Sequence, residues 1–166
     1  MTTTVDSEGR TRWPVYAYIR EEVRRQGHNL ANPADGGLRV TWMTRAWDFA
    51  MSKVAQGWER PTVPQIVTIG GMVEPLKNKD GLRRTFVRVG TRMCPHPDEV
   101  PGRLARLVEH GTDLEPLGFY RELELVHPFV DGNGRTGKIV LAWLAGSLDA
   151  PWFPPSDFWG HEITNP

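Results

Sequence analysis

Apolar positions recur at spacings of three and four in several stretches of the chain, and each such stretch predicts an amphipathic helix. Residues 13–26 place Val15, Tyr16, Tyr18, Ile19 and Val23 on one face, with Arg20, Glu21, Glu22, Arg24 and Arg25 mostly on the other. Pro14 suits the first turn of that helix. Residues 41–56 repeat the pattern with Met43, Ala46, Trp47, Ala50, Met51 and Val54, and Gly57 is the stop. Leu104, Leu107 and Val108 give a helix starting near Gly102 its buried face, and Leu117, Tyr120, Leu123 and Leu125 do the same for residues 115–126. Residues 138–148 are apolar all round, from Ile139 through Ala145, which predicts a central, buried helix. Two stretches depart from this rule. Residues 61–74 are rich in Val, Thr and Ile, so a strand and a helix both fit, and the stripe Val63, Ile66, Val67, Val73 leans towards a helix. Residues 82–92 alternate, Val87, Val89 and Thr91 against Arg88, Gly90 and Arg92, predicting a half-solvated strand or short hairpin entered through the turn Lys79-Asp80-Gly81. Pro95, Pro97 and Pro101 interrupt regular structure after it. The pattern describes a mainly α chain with one small β element.

Composition bounds this picture. A length of 166 residues fits a single domain, and one that size buries enough surface to need no disulfide or structural metal. Lys and Arg number 20, as do Asp and Glu, so the formal charge is zero and nothing marks a nucleic-acid or anionic-membrane partner. The lone Cys94 excludes an intramolecular disulfide and a cysteine-based zinc cluster, and beside Pro95 it has no catalytic companion that would make it a nucleophile. No apolar run reaches the ~18 residues of a membrane span, and the polar start MTTTVDSEGR is no secretory signal. A cytoplasmic, soluble domain is the expectation. Trp42, Trp47, Trp58, Trp143, Trp152 and Trp159 read as packing, the tail over 150–159 as a cover for the core, and His28, His96, His110 and His161 receive no role.

Chemistry-bearing residues concentrate between His127 and Lys138, in the connection between the two most apolar helices. Gly132, Asn133, Gly134 and Gly137 allow successive backbone N–H groups to turn inward and form an anion-attracting nest. The amides opening the next helix face the same space with the positive end of its dipole. Arg135 and Lys138 lie one turn apart and add charge. His127 can take a proton near neutral pH, and Asp131 is a hard oxygen ligand. Singly, each has a plain structural reading: a helix cap, a turn, a loop corner. A transition-metal pair of His127 and Asp131 lacks a third ligand nearby. The conjunction points to phosphate-transfer chemistry.

The run His127-Pro128-Phe129-Val130-Asp131-Gly132-Asn133-Gly134-Arg135 resembles the signature of the Fic (Fido) family, H-P-F-x-[D/E]-G-N-G-R-x-x-R, at every constrained position up to Arg135. Residues 81–89 are similar to that family's flap. The resemblance implies a Fic-type helical core, residues 41–166 with the Pro- and aromatic-rich tail, preceded by a tail and helix over 1–40. It implies a protein adenylyltransferase, which moves AMP from ATP to a Ser, Thr or Tyr hydroxyl of a target protein. His127 would then be the general base, Asp131 the ligand of Mg2+ (or Mn2+), and Gly132, Asn133 and Gly134 a phosphate cradle to which Asn133 adds its side chain. Arg135 would neutralise phosphate, Phe129 would anchor the loop, and Thr85, Phe86, Val87, Arg88 and Val89 would dock the target by strand pairing.

The signature's last Arg is Lys138 here, which keeps the charge but loses the two-pronged grip. That opens the alternatives of a Doc-like kinase or a weakened catalyst; separately, the same base and metal could activate water to remove AMP, and a nest that binds without reaction would be a nucleotide- or phosphopeptide-binding module. The family's inhibitory pattern, [S/T]-x-x-x-E-[G/N], is met by Thr4-Val5-Asp6-Ser7-Glu8-Gly9, which implies inhibition by Glu8. The polar setting of those residues predicts instead a frayed tail, with a separate antitoxin-like inhibitor as the alternative.

Overall fold

The computed structural model describes residues 3–155. Strands β1 (Thr4–Val5) and β2 (Thr11–Arg12) pair antiparallel, so the start of the described chain is a small hairpin and not a frayed tail. Its turn is held by Asp6, whose carboxylate accepts from the amides of Glu8 and Arg10 and pairs with the Arg10 and Arg12 side chains. Helix α1 (Val15–Arg25) follows, then α2 (Leu38–Ala55). The latter opens three residues before the expected start, because a turn over Pro33–Gly37, capped by the Asn32 side chain, winds directly into it.

Residues Val63–Val73 are helical (α3). A capping box decides between the strand and helix readings: the Gln65 amide donates to the Thr62 hydroxyl, and the Thr62 amide donates to the Gln65 side chain. Pro64 completes a favourable first turn. The alternating stretch yields less β structure than its pattern promised. Only β3 (Arg88–Val89) and β4 (Arg92–Met93) pair, across a turn where Gly90 has φ 56°. Residues 82–87 are not a strand, since the chain there follows the end of a helix: the Arg83 amide donates to the Pro128 carbonyl at 2.9 Å. Helix α4 (Val100–His110) takes Pro101 into its first turn, and α5 (Pro116–Val126) matches its expected span. Helix α6 (Asn133–Leu144) begins five residues before the predicted 138, so Asn133, Gly134 and Arg135 form its first turn.

Helix α6 is the central element. Ile139, Ala142 and Trp143 pack with Tyr18, Ile19 and Val23 of α1 and with Met43 and Trp47 of α2. Val140 meets Leu104 of α4 and Phe119 and Leu123 of α5, and Leu141 meets Tyr120 and Trp152. Trp47, Trp143 and Trp152 are buried as expected, but Trp58 is largely exposed. Of the aromatic tail, Trp152 and Phe153 cover the core, Phe153 stacking on Tyr18 at 4.2 Å between centroids, while Trp159 and His161 lie outside the described residues. None of the described helices is long and apolar enough to cross a membrane.

Candidate active site

The predicted loop runs from the C-terminal cap of α5 to the first turn of α6. His127 ends α5 with φ 49° and ψ 63°, and it is the one described non-glycine residue at positive φ. A left-handed histidine is strained unless its surroundings hold it there. They do: its amide donates to Leu123, and its carbonyl accepts from Arg83 Nε at 2.6 Å. Burial pushes the imidazole down to about 4, with the Arg92 and Arg83 charges adding to the effect. The Glu124 backbone carbonyl and the Asp131 charge oppose it. The ring is therefore neutral at pH 7, and its Nδ1 is buried.

Phe129 is the loop's anchor, fully buried on α3. Gly70 makes room for it, because a methyl group there would meet the Phe129 ring at 2.2 Å. Asn133 differs from the phosphate contact expected of its side chain. Its Oδ1 accepts from the Phe129 amide at 2.9 Å and its Nδ2 donates to the Phe129 carbonyl at 3.0 Å, which closes the loop on itself. Gly132, at φ 75°, turns the chain into α6. Its amide is occupied by Asp131 Oδ1 at 2.6 Å. The first i to i−4 bond of α6 is donated by Thr136 to the Gly132 carbonyl. The helical amides of Asn133, Gly134 and Arg135 precede that bond and have no carbonyl of their own helix to reach. The amide nest thus sits one residue further along than 132–134.

The two cations are likewise engaged within the protein. Arg135 and Glu74 are each 1% exposed, and the Arg135 guanidinium donates to the Glu74 carboxylate at 2.9 Å and to the Val73 carbonyl at 3.2 Å. Arg135 thus locks α6 to the end of α3 and has no surface of its own open to solvent. Lys138 Nζ lies 3.4 Å from both carboxylate oxygens of Glu22 on α1, and 5.4 Å from the centre of the Tyr120 ring. Glu8 is not the carboxylate at Lys138. It sits in the N-terminal turn, exposed and paired with Arg10 at 2.7 Å.

Asp131 is half-exposed. Partial burial works to raise its carboxyl, but the Lys77 ammonium, the Gly132 amide and the Arg135 charge hold it below its ordinary value. Lys77 donates to Oδ2, and Asn78 Nδ2 donates to the Asp131 carbonyl at 2.8 Å. Among the described residues no cluster of three metal-ligating side chains occurs. One carboxylate with a cation already against it suits a hard ion that keeps its waters and takes its other ligands from phosphates. It does not suit a resident metal cage.

On the flap, Val87 accepts from the Cys94 amide, Arg88 and Val89 form β3, Thr85 accepts from Arg83, and Phe86 is 64% exposed, edge-on to His96. An open cleft of about 580 Å³ lies at the flap's base, lined by Val67, Leu82, Arg83, Arg84, Pro97 and Pro101 among others; His127 is not part of its lining.

The model of the Fic/DOC family matches residues 65–145, a span running from the first turn of α3 through α6 that holds the loop, the flap, Glu74 and Lys77 but neither Glu22 nor Glu8. Residues 65–145 thus carry the Fic/DOC family domain. Among curated proteins, it is 32% identical over 94 residues to a protein adenylyltransferase Fic of Drosophila virilis, covering 51% of this chain and 19% of that one. It is 34% identical over 94 residues to the protein of that name in Drosophila persimilis, covering 51% and 18%. The chain therefore spans about a fifth of the length of those relatives. Among solved structures it is similar to Fic-1 (residues 134–508) of C. elegans, with TM-score 0.66 and 20% identity over 82% of this chain and 49% of that one. A Fic family protein of Desulfovibrio desulfuricans G20 gives TM-score 0.55 and 20% identity, covering 79% and 45%. At that identity the likeness is one of fold.

Several site residues were not found from the sequence. Glu22 reads as part of the polar face of its helix, yet it stands three after Ile19 and four after Tyr18, within the apolar stripe, and is 1% exposed. Spacing alone could have flagged it. Glu124, one turn before His127, is another: burial lifts its carboxyl to about 7, with Lys138 and Arg92 opposing and Glu22 adding. Lys77, Asn78 and Arg83 come from the breaker-rich region, where no periodicity marks them, and the alternation that includes Arg92 reads it only as a polar strand position.

Proposed function

We propose that this chain transfers AMP from ATP to a hydroxyl group of a target protein. The observation that carries the reading is the α5–α6 connection: a neutral imidazole at the end of one helix, and, six residues on, the open amides of the next. The family and its adenylyltransferase-named relatives support the same chemistry.

In this reading the ring nitrogen of His127 other than the buried Nδ1 accepts the proton of a Ser, Thr or Tyr hydroxyl. The freed oxygen forms a bond to the α-phosphorus of ATP, and the bond from that phosphorus to the bridging oxygen breaks, releasing pyrophosphate. The amides of Asn133, Gly134 and Arg135, at the positive end of α6, hold phosphate oxygens. Asp131, after exchanging Lys77, would hold Mg2+, which supplies neutralisation of phosphate charge. Residues 85–89 and the hairpin edge receive the target's main chain. The inhibitory role first given to Glu8 passes to Glu22, which occupies Lys138, while Gln26 lies over the nest, its Nε2 only 2.8 Å from where a methyl on Gly134 would stand. Because Lys138 is a single-point cation held away from the nest, γ-phosphoryl transfer is the second reading.

The test is incubation of the chain and its Glu22→Gln variant with lysate, Mg2+ and ATP labelled at either the α or the γ position. AMP transfer labels protein only from the α label, faster in Glu22→Gln and not at all in His127→Ala. Labelling from the γ position alone would replace this reading with a kinase, and none with either label would leave a binding module.

A further inference from the structure

The end of α5 carries an arrangement that the chemistry above does not use. A helix leaves its last carbonyls without partners and concentrates partial negative charge there. Here four successive carbonyls are met by two guanidinium groups from the flap. Arg92, on β4, donates to Glu124 and Leu125, both at 3.4 Å. Arg83 donates to Val126 at 3.5 Å and to His127 at 2.6 Å. The same Arg83 group also donates to the Thr85 carbonyl at 3.0 Å and the Pro95 carbonyl at 2.8 Å, on the two legs of the hairpin. Arg83 is 2% exposed, and among the described residues its hydrogen-bond partners are all carbonyls and no carboxylate pairs with it. A cation is expensive to bury in this way unless every direction of the fork is used. One planar group reaching both hairpin legs and the helix end does what a lysine's point charge cannot.

We propose that Arg83 and Arg92 are positioning residues that bind the target-docking hairpin to the end of α5, so that the hairpin and the His127 ring form one mechanical and electrostatic unit. The inference rests on the reading of His127 as proton acceptor and of the hairpin as docking edge. The hydrogen bond on the His127 carbonyl holds the left-handed backbone that aims the ring. Burial of the ring holds its titration low, the two charges push it the same way, and the Glu124 backbone carbonyl and the Asp131 charge across the loop oppose them. A main chain added to the hairpin edge is thereby felt at the ring through two rigid forks, without a contact between target and helix.

The experiment is a 15N-histidine NMR titration of the full chain, with hydrogen exchange of residues 84–95, for the parent, Arg92→Met, Arg83→Met and Arg83→Lys. In Arg92→Met and Arg83→Met the His127 titration moves upward towards the ordinary histidine range, and hairpin exchange accelerates. In Arg83→Lys the titration stays low, but kcat of transfer falls ~10-fold at unchanged KM for nucleotide. If Arg83→Met does not fold, Arg92→Met decides. A His127 titration unchanged in the methionine variants, or hairpin exchange unchanged in them, overturns the proposal. A raised nucleotide KM at constant kcat does so too, by assigning the arginines to nucleotide binding. Because the titration needs no turnover, it stands or falls separately from the transfer reaction.

Discussion

Replacing Gly70 by alanine tests whether the Phe129 anchor positions the loop. Gly70 lies inside α3, so propensity alone predicts that alanine stabilises the helix by about 1 kcal/mol. Packing says the opposite. The new methyl would fall 2.2 Å, 2.3 Å and 2.6 Å from three Phe129 ring atoms, distances no real contact tolerates. The ring is fully buried, and its own backbone is clamped on both sides by Asn133, so it cannot swing away. Overpacking of this kind costs about 3 kcal/mol, leaving a net loss of about 2 kcal/mol. For a chain of this size that is a fall in Tm of roughly 4–8 °C. Gly71 is the control, because its methyl would meet only the Asn78 carbonyl at 3.9 Å. Gly71→Ala should keep its helical gain and be stabilised by up to ~1 kcal/mol. Urea denaturation of both variants reads the pair of signs, and Gly70→Ala with Phe129→Leu should recover part of the loss. A Gly70→Ala protein as stable as the parent would refute the anchoring of the loop on α3.

Further outcomes follow from the buried charges. Glu74→Ala removes the buried carboxylate closest to Arg135 and leaves it only Asp131 at 3.7 Å, so it should destabilise the fold by about 3 kcal/mol in the same assay. His127 and Glu124 should give opposite pH dependences. The His127 pKa is depressed to about 4, so the unfolded chain binds the extra proton first and stability drains away as pH falls from about 6.5 towards 4. His127→Gln should therefore be more stable than the parent at pH 5. Glu124 is raised to about 7, so the folded chain holds a proton that the unfolded chain loses, and stability drains away as pH rises from about 4.5 through 7. Glu124→Gln should gain relative to the parent above pH 7, by about 1–3 kcal/mol. Lys77→Ala, finally, frees Asp131 Oδ2 and should tighten Mn2+ binding in the presence of ATP, read by the electron paramagnetic resonance of the free ion; unchanged affinity would show that Lys77 does not compete for that oxygen.

What the sequence made legible divides along physical lines. Helices with a clear apolar stripe, such as α1, α2 and α5, could be read from spacing, since burial of one face is what creates the stripe. Helix α3 could not be decided that way because β-branched residues fit both states, and a two-residue capping box settled it. The short hairpin was legible but its extent was not, because the alternation over 82–92 reflects two different things. Its second half pairs as strand, and its first half carries Arg83, which is turned inward to a helix end. At the site, residue types in the loop announced anion chemistry, but not which groups the fold had already engaged. Asn133, Arg135 and Lys138 are partnered by Phe129, Glu74 and Glu22, and those partners lie 4, 61 and 116 positions away. Pairings over 61 and 116 positions leave no local trace, and an Asn bonding back over four residues looks in sequence like any Gly-Asn-Gly turn.

The most direct measurement is the intact mass of the Glu22→Gln chain, alone and with lysate proteins, after exposure to Mg2+ and ATP. A gain equal to one AMP on a protein, absent when His127→Ala is added, is the predicted result. A gain equal to one phosphate, or an AMP adduct that survives loss of the imidazole, would contradict the account.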